Sequence, residues 1–314
     1  MGLRRVLGRV GLTVLGALVV VTLAAATYDW TSAGTVPVPP LDEHGHTVRA
    51  GGLTTHYEQW GQSGPPVVLV HGFMESAAAW DRVGPELAAD GFRVYALDVR
   101  GFGYTERRGP YTLAGDTAQL RAFLTALHLD TAHHSSPVLV GHSSGAAIVG
   151  DVARTDPAAV RRVVFMDGDG TPYGVGPGWV HHLFVDPYAT AVLRLATRHT
   201  GLAERAYASA CGPTCPPFDP QQWLTPFRVP GAESALKAIL GQPLIGLTYA
   251  QERQVHVPAA VVYGSQDPQM GRASATATAA RLHTHDVVPI PGAGHLVMIA
   301  APHAVSVVLQ RLSR

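Results

Sequence analysis

The sequence predicts an α/β domain with a mostly parallel central sheet, helices on both faces and an inserted helical cap. Three observations predict it. Short, unbroken apolar runs recur along the chain, each ending at or near Gly or Asp. Helix-like stretches separate them. The alternation then stops between about Gly170 and Arg253 before it resumes.

The apolar runs are Pro66–Val70, Phe92–Leu97, Pro137–Val140, Arg162–Met166, Val257–Tyr263 and Asp286–Ile290. They are rich in Val and do not alternate with polar residues, as expected of strands buried on both faces of a parallel sheet. Helical segments are expected at about Ala77–Asp90, Leu113–Leu127, Ser144–Thr155, Arg272–Leu282 and Ala301–Leu312. Strand–helix–strand alternation implies right-handed crossovers and helices on both faces. Ligands then gather beyond the carboxyl ends of the strands.

The interruption at about 170–253 is too long for a plain loop. It contains many Pro and the helix-like pieces Tyr188–His199 and Ala232–Leu240, and it is expected to form a mostly helical cap over the site. Trp179, Phe184, Tyr188, Trp223 and Phe227 are candidates to line an apolar pocket there. For most of them, packing inside the cap is the expected role.

The N-terminus follows other rules. Arg4, Arg5 and Arg9 precede an uncharged run from Val10 to Thr27. The run is long enough to span a bilayer as a helix, and Ala24-Ala25-Ala26 satisfies the small-residue rule for signal cleavage. Residues 1–28 therefore read as a membrane anchor or a signal peptide, with the length of the run favouring the anchor and the basic end staying in the cytoplasm. The Pro-rich stretch within 29–45 reads as a stiff linker that lifts the globular part, 46–314, off the membrane. The catalytic part is then extracytoplasmic. Cys211 and Cys215, in Cys-Gly-Pro-Thr-Cys, suit a local disulfide in that compartment, with two free thiols as the alternative.

Bulk composition narrows the function. Hydrophobic residues make up 46%, enough for a packed core rather than a disordered chain. Lys plus Arg and Asp plus Glu are both 23, so net charge gives no electrostatic footprint for nucleic acid. The 16 His residues are scattered, without the spacing of a zinc site.

The chemistry is carried by Gly141-His142-Ser143-Ser144-Gly145, directly after a predicted strand and before a predicted helix. A sharp strand-to-helix turn forces strained backbone angles on Ser143 and needs tiny neighbours, which Gly141 and Gly145 supply. The following helix aims its free N–H groups at the same spot. Ser144, the rival serine, is expected to contribute only its backbone N–H. A neutral serine needs a base and a group to orient that base. His295, in Pro291-Gly292-Ala293-Gly294-His295 after the last strand, is the candidate base. Asp267, in Gly264-Ser265-Gln266-Asp267-Pro268, is the candidate acid, with Asp167 and then Asp169 as rivals. The oxyanion hole is expected from the N–H groups of Ser144 and Phe73, the residue after His71-Gly72. His71 is expected to brace that loop.

These motifs, with Asp98-Val99-Arg100-Gly101-Phe102-Gly103-Tyr104-Thr105, resemble the α/β-hydrolase superfamily over roughly residues 46–314. The resemblance is to its lidded branch of esterases, haloperoxidase-like and epoxide-hydrolase-like members. In that family the Asp-x-Arg-Gly-x-Gly stretch is a structural turn, so no catalytic role passes to Asp98 or Arg100. Epoxide hydrolases and haloalkane dehalogenases use Asp at the elbow, so Ser143 argues against both chemistries. Ala146 departs from the second Gly that many relatives carry there. The resemblance implies a serine hydrolase acting through an acyl-enzyme, without metal or organic cofactor. A small, apolar carboxylic ester is the expected substrate. Peptidase action of the proline iminopeptidase type, lactone hydrolysis, C–C bond hydrolysis and a weakly catalytic binding protein remain alternatives.

Overall fold

The computed structural model describes residues 3–172, 185–217, 219–242 and 246–314. Helix α1 (Leu3–Thr31) comes first, followed by strands β1 (Gly45–Ala50), β2 (Leu53–Trp60) and β3 (Pro66–Val70). The chain continues through α2 (Val83–Ala89), β4 (Arg93–Leu97), α3 (Leu113–Ala126), β5 (Val138–His142), α4 (Gly145–Thr155) and β6 (Arg162–Met166). Helices α5 (Tyr188–Arg198), α6 (Thr200–Cys211), α7 (Pro220–Leu224), α8 (Ala232–Leu240) and α9 (Tyr249–Glu252) separate β6 from β7 (Ala259–Gly264). The chain closes with α10 (Arg272–Arg281), β8 (Val287–Ile290), α11 (Val297–Ala300) and α12 (Pro302–Ser313).

The eight strands form one sheet in the order β1-β2-β4-β3-β5-β6-β7-β8. Every pairing from β4 to β8 is parallel, and β2 joins β1 and β4 antiparallel. The unbroken apolar runs have a simple cause: alternate residues serve opposite faces of the sheet. Val68, Val70, Leu139, Val163, Phe165 and Val261 pack with Leu120 and Phe123 of α3, Val149 and Val152 of α4, and Ala275 of α10. Val67, Leu69, Val140, Val164, Met166 and Val262 pack with Leu87 of α2 and Val305 and Leu309 of α12. Each fully buried Val or Leu contributes about 1.5–3 kcal/mol.

The hairpin β1–β2 is absent from the sequence reading because it lacks a continuous apolar run. The middle residues of β1 are largely exposed, as befits an edge strand. The available signal was Gly51-Gly52, both at positive φ, which makes the two-residue turn that suits a hairpin.

The N-terminal region departs from expectation. α1 does not stop with the apolar run and does not lead to a free spacer. Thr22, Ala25, Tyr28, Asp29 and Ser32, spaced three or four apart on one face, are partly buried. Arg194 and Arg198 of α5 donate to the carbonyl oxygens of Asp29 and Ser32. Beyond α1, Val36 N–H donates to Arg228 O at 3.0 Å. The Pro-rich stretch is thus fastened to the globular part instead of lifting it away. Cys211 and Cys215 are free thiols in the structure, and Cys211 is buried. The thiol of Cys215 is directed at the carbonyl oxygen of Pro216, 3.6 Å away.

Candidate active site

The elbow is built at the end of β5. Ser143 has φ +50, in the left-handed region, and its N–H donates to Met166 O at 2.8 Å. A Cβ on Gly141 would lie 2.3 Å from Gly145 O, and one on Gly145 would lie 2.6 Å from Val70 O. Both distances are impossible for a side chain, so glycine at these two positions is a condition of the turn. Ala146 is fully buried in the core, so its methyl is accommodated in the packing behind the elbow.

The structure brings Ser143, His295 and Asp267 together from three strand ends. Ser143 Oγ lies 3.1 Å from His295 Nε2, and His295 Nδ1 lies 2.9 Å from Asp267 Oδ2. With a carboxylate on Nδ1, that nitrogen carries the proton and Nε2 is the free acceptor facing the serine. All three residues are buried. Burial opposes the charge on Asp267, but the hydrogen bond and charge of His295, with the Gln269 N–H and Asp167, together outweigh it and lower its pKa. Asp267 Oδ1 also accepts from Gln269 N–H at 2.7 Å.

Asp167 lies beside Asp267, not beside His295. Its Oδ1 accepts Gly264 N–H at 2.7 Å, while its Oδ2 is buried without a donor among the described residues, and the carboxyl neighbours that of Asp267. Burial first, and the charge of Asp267 after it, push the Asp167 pKa well above the ordinary value. Asp167 is therefore the protonated member of the pair and the donor. Asp169 is farther out and accepts Thr171 N–H at 3.0 Å and Thr171 Oγ1–H at 2.7 Å.

The two candidate oxyanion donors lie after β3 and at the start of α4. Among the described residues, neither Phe73 N–H nor Ser144 N–H has a protein acceptor. His71 braces the loop from below: its Nδ1 faces Gly72 O at 2.8 Å and its Nε2 accepts Val99 N–H at 3.0 Å. These partners require the neutral ring, and burial lowers its pKa accordingly. Asp98 holds the neighbouring turn by accepting Ala77 N–H and Tyr104 N–H, both at 2.7 Å. Burial opposes its charge, yet the bond with His56 and those N–H groups hold its pKa at about 2.

Two features escaped the sequence reading. The first is Glu75, which accepts Gly72 N–H at 2.9 Å and lies 3.0 Å from His142 Nδ1. His142 Nε2 faces the carbonyl oxygen of His295 at 2.8 Å. Both ring nitrogens thus meet acceptors, which makes His142 an imidazolium paired with a Glu75 carboxylate. Burial disfavours both charges, but each partner outweighs it, raising the pKa of His142 and lowering that of Glu75. Replacing Glu75 with Ala strands a buried cation, so a loss of about 3–5 kcal/mol in unfolding free energy is expected by urea titration. The sign of the pH dependence follows from the shifts. Glu75 stabilises above its ordinary 4.5 and loses this as pH falls through its lower folded value. His142 stabilises below its ordinary 6.5 and loses this as pH rises through its higher folded value. Thermal melts should show the pair at full strength between those pH values, and Glu75→Gln should flatten both flanks.

The second feature is the end of α6. Cys211 O accepts Gly294 N–H at 2.9 Å, and Ala210 O accepts the N–H groups of His295 and Leu296 at 2.6 and 3.3 Å. Thr214 Oγ1–H donates to Gly292 O at 3.1 Å. A helix of the insertion thereby fixes the loop that carries His295.

A cavity of about 220 Å³ adjoins Ser143 and His295, bordered by Asp167, Thr171, Gln269 and Met270. Tyr188, Trp223 and Phe227 do not border it. Trp223 and Phe227 are buried in packing, Trp223 against Tyr207 and Phe227 against Phe102. Tyr188 meets Thr22 of α1. Trp179 and Phe184 lie outside the described residues. Among the described residues no cluster of three His, Cys, Asp or Glu side chains is placed to hold a metal ion.

Residues 65–302 match the family model for the α/β hydrolase fold, and the chain belongs to that family. Among curated proteins, it is 38% identical over 141 residues to 2-hydroxy-6-oxo-2,4-heptadienoate hydrolase of Pseudomonas putida, covering 43% of this chain and 49% of the relative. It is 35% identical over 140 residues to bifunctional epoxide hydrolase 2 of Sus scrofa, covering 43% of this chain and 23% of the relative. The chain thus spans less than half the length of either relative. A solved membrane phospholipase A superposes with a TM-score of 0.66 at 22% identity, covering 98% of this chain and 97% of that one. At that identity the likeness is one of fold.

Proposed function

We propose that the chain is a serine hydrolase of carboxylic esters, with Ser143 as nucleophile, His295 as base and Asp267 as the group that orients it. The observation that carries this reading is the continuous line from Ser143 Oγ through the imidazole to Asp267, at 3.1 and 2.9 Å. His295 Nε2 takes the serine proton as Oγ bonds to the carbonyl carbon. The Phe73 and Ser144 N–H groups hold the negative oxygen that forms, a contribution of about 2.7–4 kcal/mol per donor. The C–O bond breaks, the alcohol leaves with the proton from His295, and water repeats the sequence to free Ser143. An apolar acyl group is the preferred substrate feature. Ser143 at the elbow sets this chain apart from epoxide hydrolysis despite the relative of that name. C–C bond hydrolysis is the second reading, favoured by the similarity to the Pseudomonas putida enzyme.

The insertion at 170–253 serves as a cap, and α1 serves as a retained anchor with the catalytic part outside the cytoplasm. Leu12–Thr31 has a mean hydropathy of 1.8 and the length of a membrane span. Its contacts with α5 support retention, since cleavage after Ala26 would sever Thr22 from Tyr188.

A fluorophosphonate probe should label purified protein at Ser143, and an acyl-length series of p-nitrophenyl esters should show turnover. Labelling without turnover of any ester, but with cleavage of a vinylogous 1,5-diketone, would move the assignment to C–C hydrolysis. No labelling would leave a binding protein on this fold.

A further inference from the structure

Helices α1 and α5 make a pair that ester hydrolysis does not require. α5 presents three faces. Ala189, Thr190, Leu193 and Thr197 are buried toward the rest of the protein. Tyr188, Arg194 and Arg198 meet α1: the Tyr188 and Thr22 hydroxyls hydrogen-bond, and the two arginines donate to Asp29 O and Ser32 O. The partners advance together along both helices, so the two run side by side in the same direction. The third face carries Val192 and Leu195, 58% and 44% exposed. Val185 just before α5 is 51% exposed, but it adjoins the exposed Asp186 carboxylate, which pairs with Lys237 at 2.7 Å and ends the apolar face there.

The register with α1 fixes the depth of this face. Thr22 belongs to the uncharged run that ends at Thr27. At 1.5 Å per residue, Tyr188 then lies about 7 Å inside the end of that run. Arg194, level with Asp29, lies just outside it, with its guanidinium held by the Glu233 carboxylate and Asp29 O. Trp30, 82% exposed at the same level, is the residue type that favours the membrane interface. Residues 12–20 of α1 are exposed all round, so the apolar surface of α1 adjoins that of α5.

We propose that Val192 and Leu195 form a bilayer-docking surface at the headgroup boundary of the outer leaflet, beside α1, that seats the cap on the lipid. It rests on the reading of α1 as a retained anchor. The ester substrate is then an amphiphile of that leaflet, delivered to a cap already in contact with it.

The test uses the full chain in nanodiscs of phosphatidylcholine and phosphatidylglycerol. A nitroxide is placed at Val192→Cys, or at Leu18→Cys as the anchor control, in a Cys211→Ala, Cys215→Ala background. Collision with oxygen exceeding collision with a nickel chelate at both positions is the expected result. Chelate access at Val192 with oxygen access at Leu18 overturns the docking surface and leaves the anchor standing. Chelate access at Leu18 overturns the anchor and the docking with it. Protection of Val192 from both means that a second copy covers the face, and also overturns the proposal. Independently, Val192→Asp with Leu195→Asp should cut the rate on a long-chain ester in vesicles about tenfold and leave a soluble short ester unaffected. Equal rates in vesicles, or a parallel fall of both, count against it.

Discussion

Ser143→Ala is expected to remove the proposed ester hydrolysis, by about 10⁶ in kcat, while the melting curve stays that of the wild type. The size of the effect follows from the site. Among the described residues His295 Nε2 meets the hydroxyl of Ser143 alone, at 3.1 Å, so the proposed covalent intermediate loses its oxygen with that side chain. Ser144 cannot substitute: it is the residue leading into α4, and its proposed part is its N–H. The residual rate should be that of the oxyanion donors acting on bound ester with water, about 10³–10⁴ over the uncatalysed reaction. The fold should tolerate the change because the strained φ of +50 is set by the neighbouring glycines and the bond to Met166 O, which alanine keeps. Activity within tenfold of wild type would remove Ser143 from the mechanism.

Asp267→Asn is the second large effect, about 10⁴ in kcat. An amide at 2.9 Å from His295 Nδ1 can present its NH₂ and turn the imidazole to the tautomer whose Nε2 bears the proton and cannot accept one. Asp167→Asn should behave quite differently. Asp167 is the protonated partner, and an amide NH₂ donates to Asp267 as its O–H does, so a change of less than tenfold is expected. Asp167→Ala removes the donor and should raise the apparent pKa of the Asp267–His295 pair in the kcat/KM profile. If Asp167→Asn costs more than Asp267→Asn, the acid is Asp167 and the assignment is reversed.

The fold was largely readable in the sequence because a doubly covered parallel strand needs apolar residues on both sides. Runs such as Val67–Val70 fit few places other than the middle of such a sheet. Ser143 was readable for a local reason: the crowding of Gly141 and Gly145 acts within one turn of chain. His295 and Asp267 were readable from their places at strand ends. The choice between Asp167 and Asp267 was harder, since both follow strands, and only the distance to the imidazole separates them. Glu75 and His142 are 67 residues apart and share no pattern, so nothing local announced their pairing. β1 was missed because an edge strand need not be apolar. The packing of α1 on α5 was hidden because its stripe mixes Thr, Ala, Tyr, Asp and Ser, which reads as neither a core face nor a membrane face.

The grip of α6 on the histidine loop bears on how this scaffold can be recombined. A chimera that exchanges residues 170–253 as a block would import a new binding surface. It would also discard the carbonyls of Ala210 and Cys211 that orient Gly294, His295 and Leu296. Selectivity and turnover would then fall together, whatever the merit of the graft. Crossover points placed on either side of 200–215 keep that clasp with its parent sheet. They leave the remainder of the insertion free to diversify, including the faces of α5 and α8.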